Sequence, residues 1–199
     1  MNEETLKIIG RNHTPQQIID AFYLARECGF DNINTDLIAG LPTDTFDSFK
    51  HSHDSIRELS PESITVHTLC MKRASTLTTQ GVSLNKEDAT QARKMLDYTQ
   101  KVLKQDEYIP YYMYRQSRMI GNLENVGWSK KGYESLYNVY VLDESHTILA
   151  CGSGGVTKLK CNPTDYLERI FNFKYPYEYV DRFDELIERK SSIMRFYGK

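Results

Sequence analysis

One stretch decides the fold of this chain: Asn32-Ile33-Asn34-Thr35-Asp36-Leu37-Ile38-Ala39-Gly40-Leu41-Pro42. Its apolar residues predict a strand that ends at a Gly and a Pro. Because side chains alternate along a strand, Asn34 and Asp36 are predicted to share one face. We expect the strand to be buried on both faces, and an unpaired buried carboxylate is energetically costly. Asp36 is therefore expected to cap a turn, to pair with an internal Arg, or to face a polar ligand.

The composition limits the classes of function. The chain has 199 residues, of which 40% are hydrophobic and 12% aromatic, as in ordinary globular domains. Its formal charge of -2 gives no overall positive field, so we expect no nucleic-acid partner. The sequence has no signal peptide and no membrane-spanning apolar run, which predicts a cytoplasmic protein without a membrane partner. Its scattered cysteines are expected to be reduced and to hold no metal: Cys28, Cys70, Cys151 and Cys161.

Helices and strands alternate in the first part of the sequence. Thr14–Gln17 has the pattern of a helix start with a capping box, and the helix after it precedes the strand around Asp36. A second helix is predicted from Thr45. A second strand follows at Ser63–Cys70, a long helix ends near Gln105, and a third strand covers residues 108–112.

This order predicts an α/β fold, a partial (βα) barrel of parallel strands over residues 1–118. In such barrels ligands bind at the carboxyl ends of the strands. A small α+β region with an antiparallel hairpin is expected over residues 119–199. Within it, Gly121–Trp128 has a loop-like sequence, and one final helix is predicted. The hairpin strands are predicted at Tyr137–Leu142 and Thr147–Cys151, and the helix at Glu178–Phe196.

Several other residues are candidates for chemistry, each with an ordinary alternative. Arg11 is a surface Arg or an anion-binding residue. His67, on the polar face of the second strand, is a core histidine or a ligand. The glycine run 152–155 forms a turn or cradles a phosphate. The tyrosines of the third strand form an aromatic core or a stacking surface: Tyr108, Tyr111, Tyr112 and Tyr114.

Four short motifs follow one another along the chain: Ile9–Arg11, Asn34–Pro42, Tyr112–Gln116 and Gly121–Ser129. Together they resemble the oxygen-independent coproporphyrinogen III oxidases, which are radical S-adenosylmethionine (SAM) enzymes of haem synthesis. The Asp36–Pro42 part, which reads Asp-Leu-Ile-Ala-Gly-Leu-Pro, is fairly specific to this group. The resemblance covers nearly the whole chain and corresponds to the C-terminal half of such an enzyme.

The resemblance implies a SAM site. Asp36 corresponds to the strand carboxylate that binds SAM through its ribose hydroxyls. Arg11 corresponds to an Arg that pairs with the methionine carboxylate. Leu69 falls at the end of the next strand, where the family lines the SAM cavity.

The resemblance also implies a tetrapyrrole substrate. His67 falls where the family lines the substrate cavity, although the family usually has an aromatic residue there. Arg115 and Arg118 are candidates to meet substrate propionates. Three glycines belong to the loop that closes over the substrate in similar proteins: Gly152, Gly154 and Gly155.

The family's CxxxCxxC loop, which holds a [4Fe-4S] cluster, is absent from this sequence. The resemblance therefore implies that the cluster belongs to the full-length parent and is not ligated by this chain. We expect a truncated chain, inactive alone, whose partner is the missing N-terminal half of the barrel. Half a barrel has an open strand edge, which predicts self-association.

In the complete enzyme the implied reaction is oxidative decarboxylation of coproporphyrinogen III propionates to vinyl groups. The first alternative is a haem-binding chaperone of the same superfamily, in which His67 would be a candidate axial ligand. The second alternative is an inactive fragment with a structural or interaction role.

Overall fold

The computed structural model describes residues 2–42, 44–71, 86–116, 119–161 and 164–198. Its contacts divide the chain into two units, Met1–Glu134 and Ser135–Lys199. This division falls later than the boundary predicted at residue 118. The reason is a strand at Asn125–Ser129, in the stretch predicted as a loop, which pairs within the sheet of the first unit.

The first unit contains four helices, four strands and a short 3-10 helix within its described residues. In chain order they are α1 (Glu3–Ile8), α2 (Pro15–Glu27), β1 (Asn34–Ala39), α3 (Phe46–Glu58), β2 (Ser63–Thr68), α4 (Lys86–Gln105), β3 (Ile109–Tyr114), the 3-10 helix (Ile120–Asn122) and β4 (Asn125–Ser129). The predicted helix starts are confirmed. Thr14 and Gln17 form the reciprocal bonds of a capping box, and the Thr45 side chain accepts from the amide of Ser48.

The four strands form one mixed sheet in the order β1-β2-β4-β3. The β1–β2 pair is parallel, while β4 runs antiparallel to both of its neighbours. Consequently β1, β2 and β3 point in the same direction, as predicted, but β3 is not the neighbour of β2. The observed fold is α/β with a parallel strand pair in a mixed sheet, and the partial barrel stays a prediction.

Helices α3 and α4 cover one face of this sheet. Phe49 and Ile56 of α3 and Met95 and Leu103 of α4 contact apolar residues of the strands, including Trp128 of β4. Burying an apolar side chain of this size contributes about 1.5–3 kcal/mol, so this face holds the sheet together. The other face carries the polar residues of β1 and β2, and these residues form the candidate site.

The second unit has short elements. They are α5 (Leu136–Asp143), β5 (Val156–Lys160), β6 (Leu167–Phe171), α6 (Pro176–Asp181), α7 (Phe183–Lys190) and α8 (Ser192–Phe196). The antiparallel hairpin is formed by β5 and β6, not by the residues predicted for it. Residues 137–142 are helical because Ser135 caps them, and a short apolar run fits a helix as well as a strand.

The single helix predicted at Glu178–Phe196 is three helices. The first break lies at Arg182, whose backbone at φ -115 and ψ 34 is not helical. Ser191 separates the last two. Across the described residues of both units, no helix is long and apolar enough to cross a membrane.

Candidate functional site

The polar face of the sheet brings together the residues singled out in β1 and β2. In the parallel register Asp36 is opposite Thr65, and Ile38 is opposite His67. Asn34, Asp36, Thr65 and His67 therefore share one face, as the alternation predicted. Their side chains meet: the Asn34 amide donates to Asp36 at 2.7 Å, and Thr65 Oγ1 donates to Asn34 Oδ1 at 3.1 Å.

The predicted burial of Asp36 is wrong. Its side chain is 59% exposed, and β1 is an edge strand of the sheet. Oδ2 lies 3.6 Å from Nε2 of His67, which is longer than a direct hydrogen bond. The contact with His67 lowers the pKa of Asp36, burial acts in the opposite direction, and the Asn34 bond lowers it further.

A cavity of about 670 Å³ joins Asp36 to Arg11. Its polar lining includes these two residues together with His13 and His67, and its apolar lining comes from α1, α2, α3 and β1. Arg11 is exposed and forms no salt bridge to any carboxylate that the structure describes. The cavity is therefore lined by a guanidinium without a described salt bridge and by a carboxylate that is more than half exposed.

The same cavity has a carboxylate that sequence reasoning missed. Asp44 precedes α3, and its Oδ1 is buried without a hydrogen-bond partner among the described residues. Burial raises the pKa of Asp44, and a bond with Ser48 opposes the shift. A lone Asp after a Gly-Leu-Pro turn carries no signal that distinguishes it from a capping residue.

His67 is held between β1 and β3. Its Nδ1 lies 3.3 Å from the hydroxyl of Tyr114, and its Nε2 faces Asp36. The imidazole is 29% exposed, so it lies at the surface of the polar face. Both ring nitrogens consequently have polar neighbours.

Two tyrosine side chains of β3 reach residues of β2 on the same face of the sheet. The rings of Tyr112 and Tyr114 are stacked with 7° between their planes, at 6.2 Å between centroids. The Tyr112 hydroxyl lies 3.3 Å from Thr65 Oγ1. A bulge between Pro110 and Tyr112 sets this arrangement, since it shifts the register that fixes which face each tyrosine occupies.

Gly127 of β4 makes room for the Tyr112 ring. It is opposite both Thr65 and Tyr112, so it lies between the two partners. A Cβ atom placed on Gly127 would lie 1.8 Å from Cε1 of Tyr112. Sequence reasoning named the tyrosines as a possible stacking surface but did not connect them with this glycine.

Two residues predicted near the ligands lie elsewhere in the first unit. Leu69 is 7% exposed and packs with Ala92, Ile120 and Leu123, and it is not in the lining of the Asp36 cavity. Leu69 directly follows β2, and its amide donates to the carbonyl of Ala39 at the end of β1. Arg115 pairs with Glu124 at 2.6 Å, while Arg118 lies outside the described residues.

The three predicted glycines belong to a turn of the second unit. Gly152 and Gly154 have φ of 87° and 71°, which favours glycine. The Asn172 side chain donates to the Gly152 carbonyl, and the amides of Gly154 and Gly155 bond within the same turn and to Phe173. These hydrogen bonds hold a turn before β5. The predicted contact of this turn with a substrate stays a prediction.

No group of three or more His, Cys, Asp or Glu residues that could hold a metal ion occurs among the described residues. None of the four cysteines forms a disulfide bond, and Cys28 and Cys151 are exposed.

Comparison with known proteins gives the class. Residues 1–56 match the model of the Radical SAM superfamily. The chain is 40% identical over 187 residues to the oxygen-independent coproporphyrinogen-III oxidase-like protein HemZ of Bacillus subtilis (strain 168), a match covering 94% of this chain and 37% of HemZ. It is 36% identical over 70 residues to the heme chaperone HemW of the same organism, covering 35% of this chain and 18% of HemW.

A solved structure agrees with this result. The coproporphyrinogen III oxidase HemN from Escherichia coli, described as a radical SAM enzyme, superposes with a TM-score of 0.65 at 19% identity. The match covers 93% of this chain and 41% of HemN. At this identity the likeness shows the fold alone.

The chain belongs to the radical SAM superfamily. Within that superfamily it is a member of the oxygen-independent coproporphyrinogen III oxidase-like family, of which HemZ is a relative. The chain spans less than half the length of HemZ and of HemN.

Proposed function

We propose that this chain provides the SAM-binding wall of a coproporphyrinogen III oxidase-like enzyme. One observation carries the proposal: Arg11 and Asp36, which come from separate parts of the sequence, line one cavity. Arg11 pairs with the methionine carboxylate, and Asp36 accepts hydrogen bonds from the ribose hydroxyls. Because Asp36 is exposed, the proposal rests on its position in the same cavity as Arg11 and not on the cost of burying a carboxylate.

The residues present fit SAM chemically. A guanidinium without an ion pair matches a carboxylate in charge and in bidentate geometry. A carboxylate has about four acceptor sites, and Asn34, His67 and Thr65 do not use all of them. The cavity of about 670 Å³ lies in the size range of small-molecule sites. When bound, SAM would supply the group that abstracts hydrogen from the substrate.

The described residues do not fit a [4Fe-4S] cluster. Such a cluster needs closely placed thiolates, and the four cysteines are far apart in sequence. The role of this chain is therefore limited to binding and orienting SAM and substrate. The thiolates would come from a part of the enzyme outside this chain.

The proposed substrate of the whole enzyme is coproporphyrinogen III. The name of HemZ, an oxygen-independent coproporphyrinogen-III oxidase-like protein, and its 40% identity to this chain support this assignment. The reaction is the oxidative decarboxylation of propionate side chains to vinyl groups. The polar face beside Asp36 is open, and we assign it to the side of the site that the tetrapyrrole approaches.

The haem-chaperone alternative receives no specific support. The match to HemW is shorter than the match to HemZ.

Isothermal titration with S-adenosylhomocysteine, a stable SAM analogue, tests the proposal. Asp36→Asn and Arg11→Met should each weaken binding about tenfold or more, since a hydrogen bond to a charged group contributes about 1.5–3 kcal/mol. Matched controls are Asp31→Asn and Lys104→Met, exposed charges outside the cavity lining, which should bind like the unaltered chain. Equal affinity of all five proteins, or no binding by any, would refute the proposal.

A further inference from the structure

Two chains of hydrogen-bonding groups cross the polar face and converge on Asp36. Both begin at tyrosines of β3, pass residues of β2 and end at the carboxylate on β1. One runs through Thr65 and Asn34, and the other runs through His67. They reach from one edge strand of the sheet, β3, to the other edge strand, β1.

The direction of the first chain follows from its donors. Asn34 uses its amide N–H towards Asp36, so its oxygen accepts from Thr65. Because Thr65 has one hydroxyl hydrogen, the hydroxyl of Tyr112 must donate to Thr65. Every donor in the series therefore points towards the carboxylate.

The second chain has the same direction. The Asp36 carboxylate lies 3.6 Å from Nε2, too far for a direct hydrogen bond, but its negative charge favours the hydrogen of a neutral His67 on that nitrogen. Nδ1 is then an acceptor, and the hydroxyl of Tyr114 donates to it. The two neighbours of His67 thus favour the same tautomer, with the hydrogen on Nε2.

We infer that Tyr112, Tyr114 and His67 are positioning residues for Asp36. They hold a largely exposed carboxylate in one rotamer, with its remaining acceptor capacity available to a ligand. The ligand class is a nucleoside with a pair of vicinal ribose hydroxyls. The identity of this ligand rests on the proposed function, whereas the fixed tautomer of His67 does not.

The first test uses the free protein. Long-range ¹H–¹⁵N spectra of the imidazole nitrogens should show neutral His67 as the Nε2–H tautomer. Tyr114→Phe removes the hydroxyl that Nδ1 accepts from, so the spectrum should shift towards a mixture of tautomers. Tyr23→Phe removes an exposed hydroxyl outside the network and should leave the His67 signals unchanged. A dominant Nδ1–H form, or no change in Tyr114→Phe, would overturn the inference.

The second test measures how strongly the two ribose hydroxyls contribute. The ratio of the affinities for adenosine and 2′,3′-dideoxyadenosine reports this contribution alone. Tyr112→Phe and Tyr114→Phe should each lower the ratio about threefold to tenfold, since a carboxylate that is not held must be ordered on binding. Tyr23→Phe should keep the ratio of the unaltered chain.

The outcomes separate the two proposals. An unaltered chain that binds neither nucleoside refutes the proposed function, and with it the ribose role of Asp36. Binding with the same ratio in both tyrosine variants refutes the positioning role only. If Tyr112→Phe does not fold, Tyr114→Phe still decides the matter, because its hydroxyl is at a partly exposed position.

Discussion

Glu62 accepts two hydrogen bonds from Nη2 of Arg26, each 2.7 Å long. It also accepts the amide of Ile33 at 3.0 Å, so one carboxylate joins α2 to the starts of β1 and β2. Arg26→Ala should lower the free energy of unfolding by about 1–3 kcal/mol, because Glu62 is 8% exposed and would lose a charged partner. Urea denaturation followed by circular dichroism measures this change.

The matched control is Arg115→Ala. The Arg115–Glu124 pair has a similar length but side chains that are 47% and 35% exposed. Exposed pairs contribute about 0–1 kcal/mol, so this variant should be close to the unaltered chain. Equal losses in the two variants would show that the Arg26 pair has no special structural role.

Gly127→Ala should destabilise the first unit by about 1–3 kcal/mol, since the added methyl group occupies the space of the Tyr112 ring. A double-mutant cycle with Tyr112→Ala isolates this clash. In the Tyr112→Ala background the same substitution should cost little. A loss that is the same in both backgrounds would mean that Gly127 is needed for another reason.

His53 should make the protein less stable in mild acid. Its side chain is fully buried on α3, and burial lowers its pKa to about 4. In the unfolded chain its pKa is near 6.5, so only the unfolded state takes up this proton as the pH falls from 6.5 towards 4. The free energy of unfolding should decrease over that range by up to about 3 kcal/mol.

His53→Leu should remove this part of the acid dependence. It should also be well tolerated at neutral pH, because neither ring nitrogen of His53 has a hydrogen-bond partner among the described residues. His51→Leu, an exposed position on the same helix, is the control and should keep the acid dependence. Parallel pH profiles of the His53→Leu variant and the unaltered chain would contradict the assignment.

We propose that the chain self-associates through β1. This strand is at the sheet edge, and the parallel register directs the N–H of Asn34 away from β2. Light scattering should show a mass that rises with concentration, and Asn34→Pro should reduce it, because proline is tolerated at the first residue of a strand. A constant monomer mass at all concentrations would refute this proposal.

Local signals predicted much of the first unit. The capping box at Thr14 and the cap at Thr45 depend on neighbouring residues, so both helix starts could be located from the sequence. The alternation of β1 and β2 likewise placed Asp36 and His67 on one face. A period of two is a property of any strand and needs no knowledge of its neighbours.

What the sequence could not predict depends on distant pairing. The exposure of Asp36 follows from the edge position of β1, which no residue of that strand specifies. The Asn and Gly residues of β4 are typical of turns and predict a loop, whereas in the structure Gly127 accommodates a tyrosine from β3. The strand predicted at Tyr137–Leu142 is a helix, because short apolar runs lack a decisive period.

The two margins of the four-stranded sheet are chemically unlike. On the β3 side, Pro110 has no N–H to offer and the bulge beside it disturbs the spacing of the backbone groups. On the β1 side the backbone is regular and pairs in parallel with β2. Any further strand of a larger enzyme is therefore expected to be added beside Asp36, so growth of the sheet would enclose the carboxylate that this chain leaves open to water.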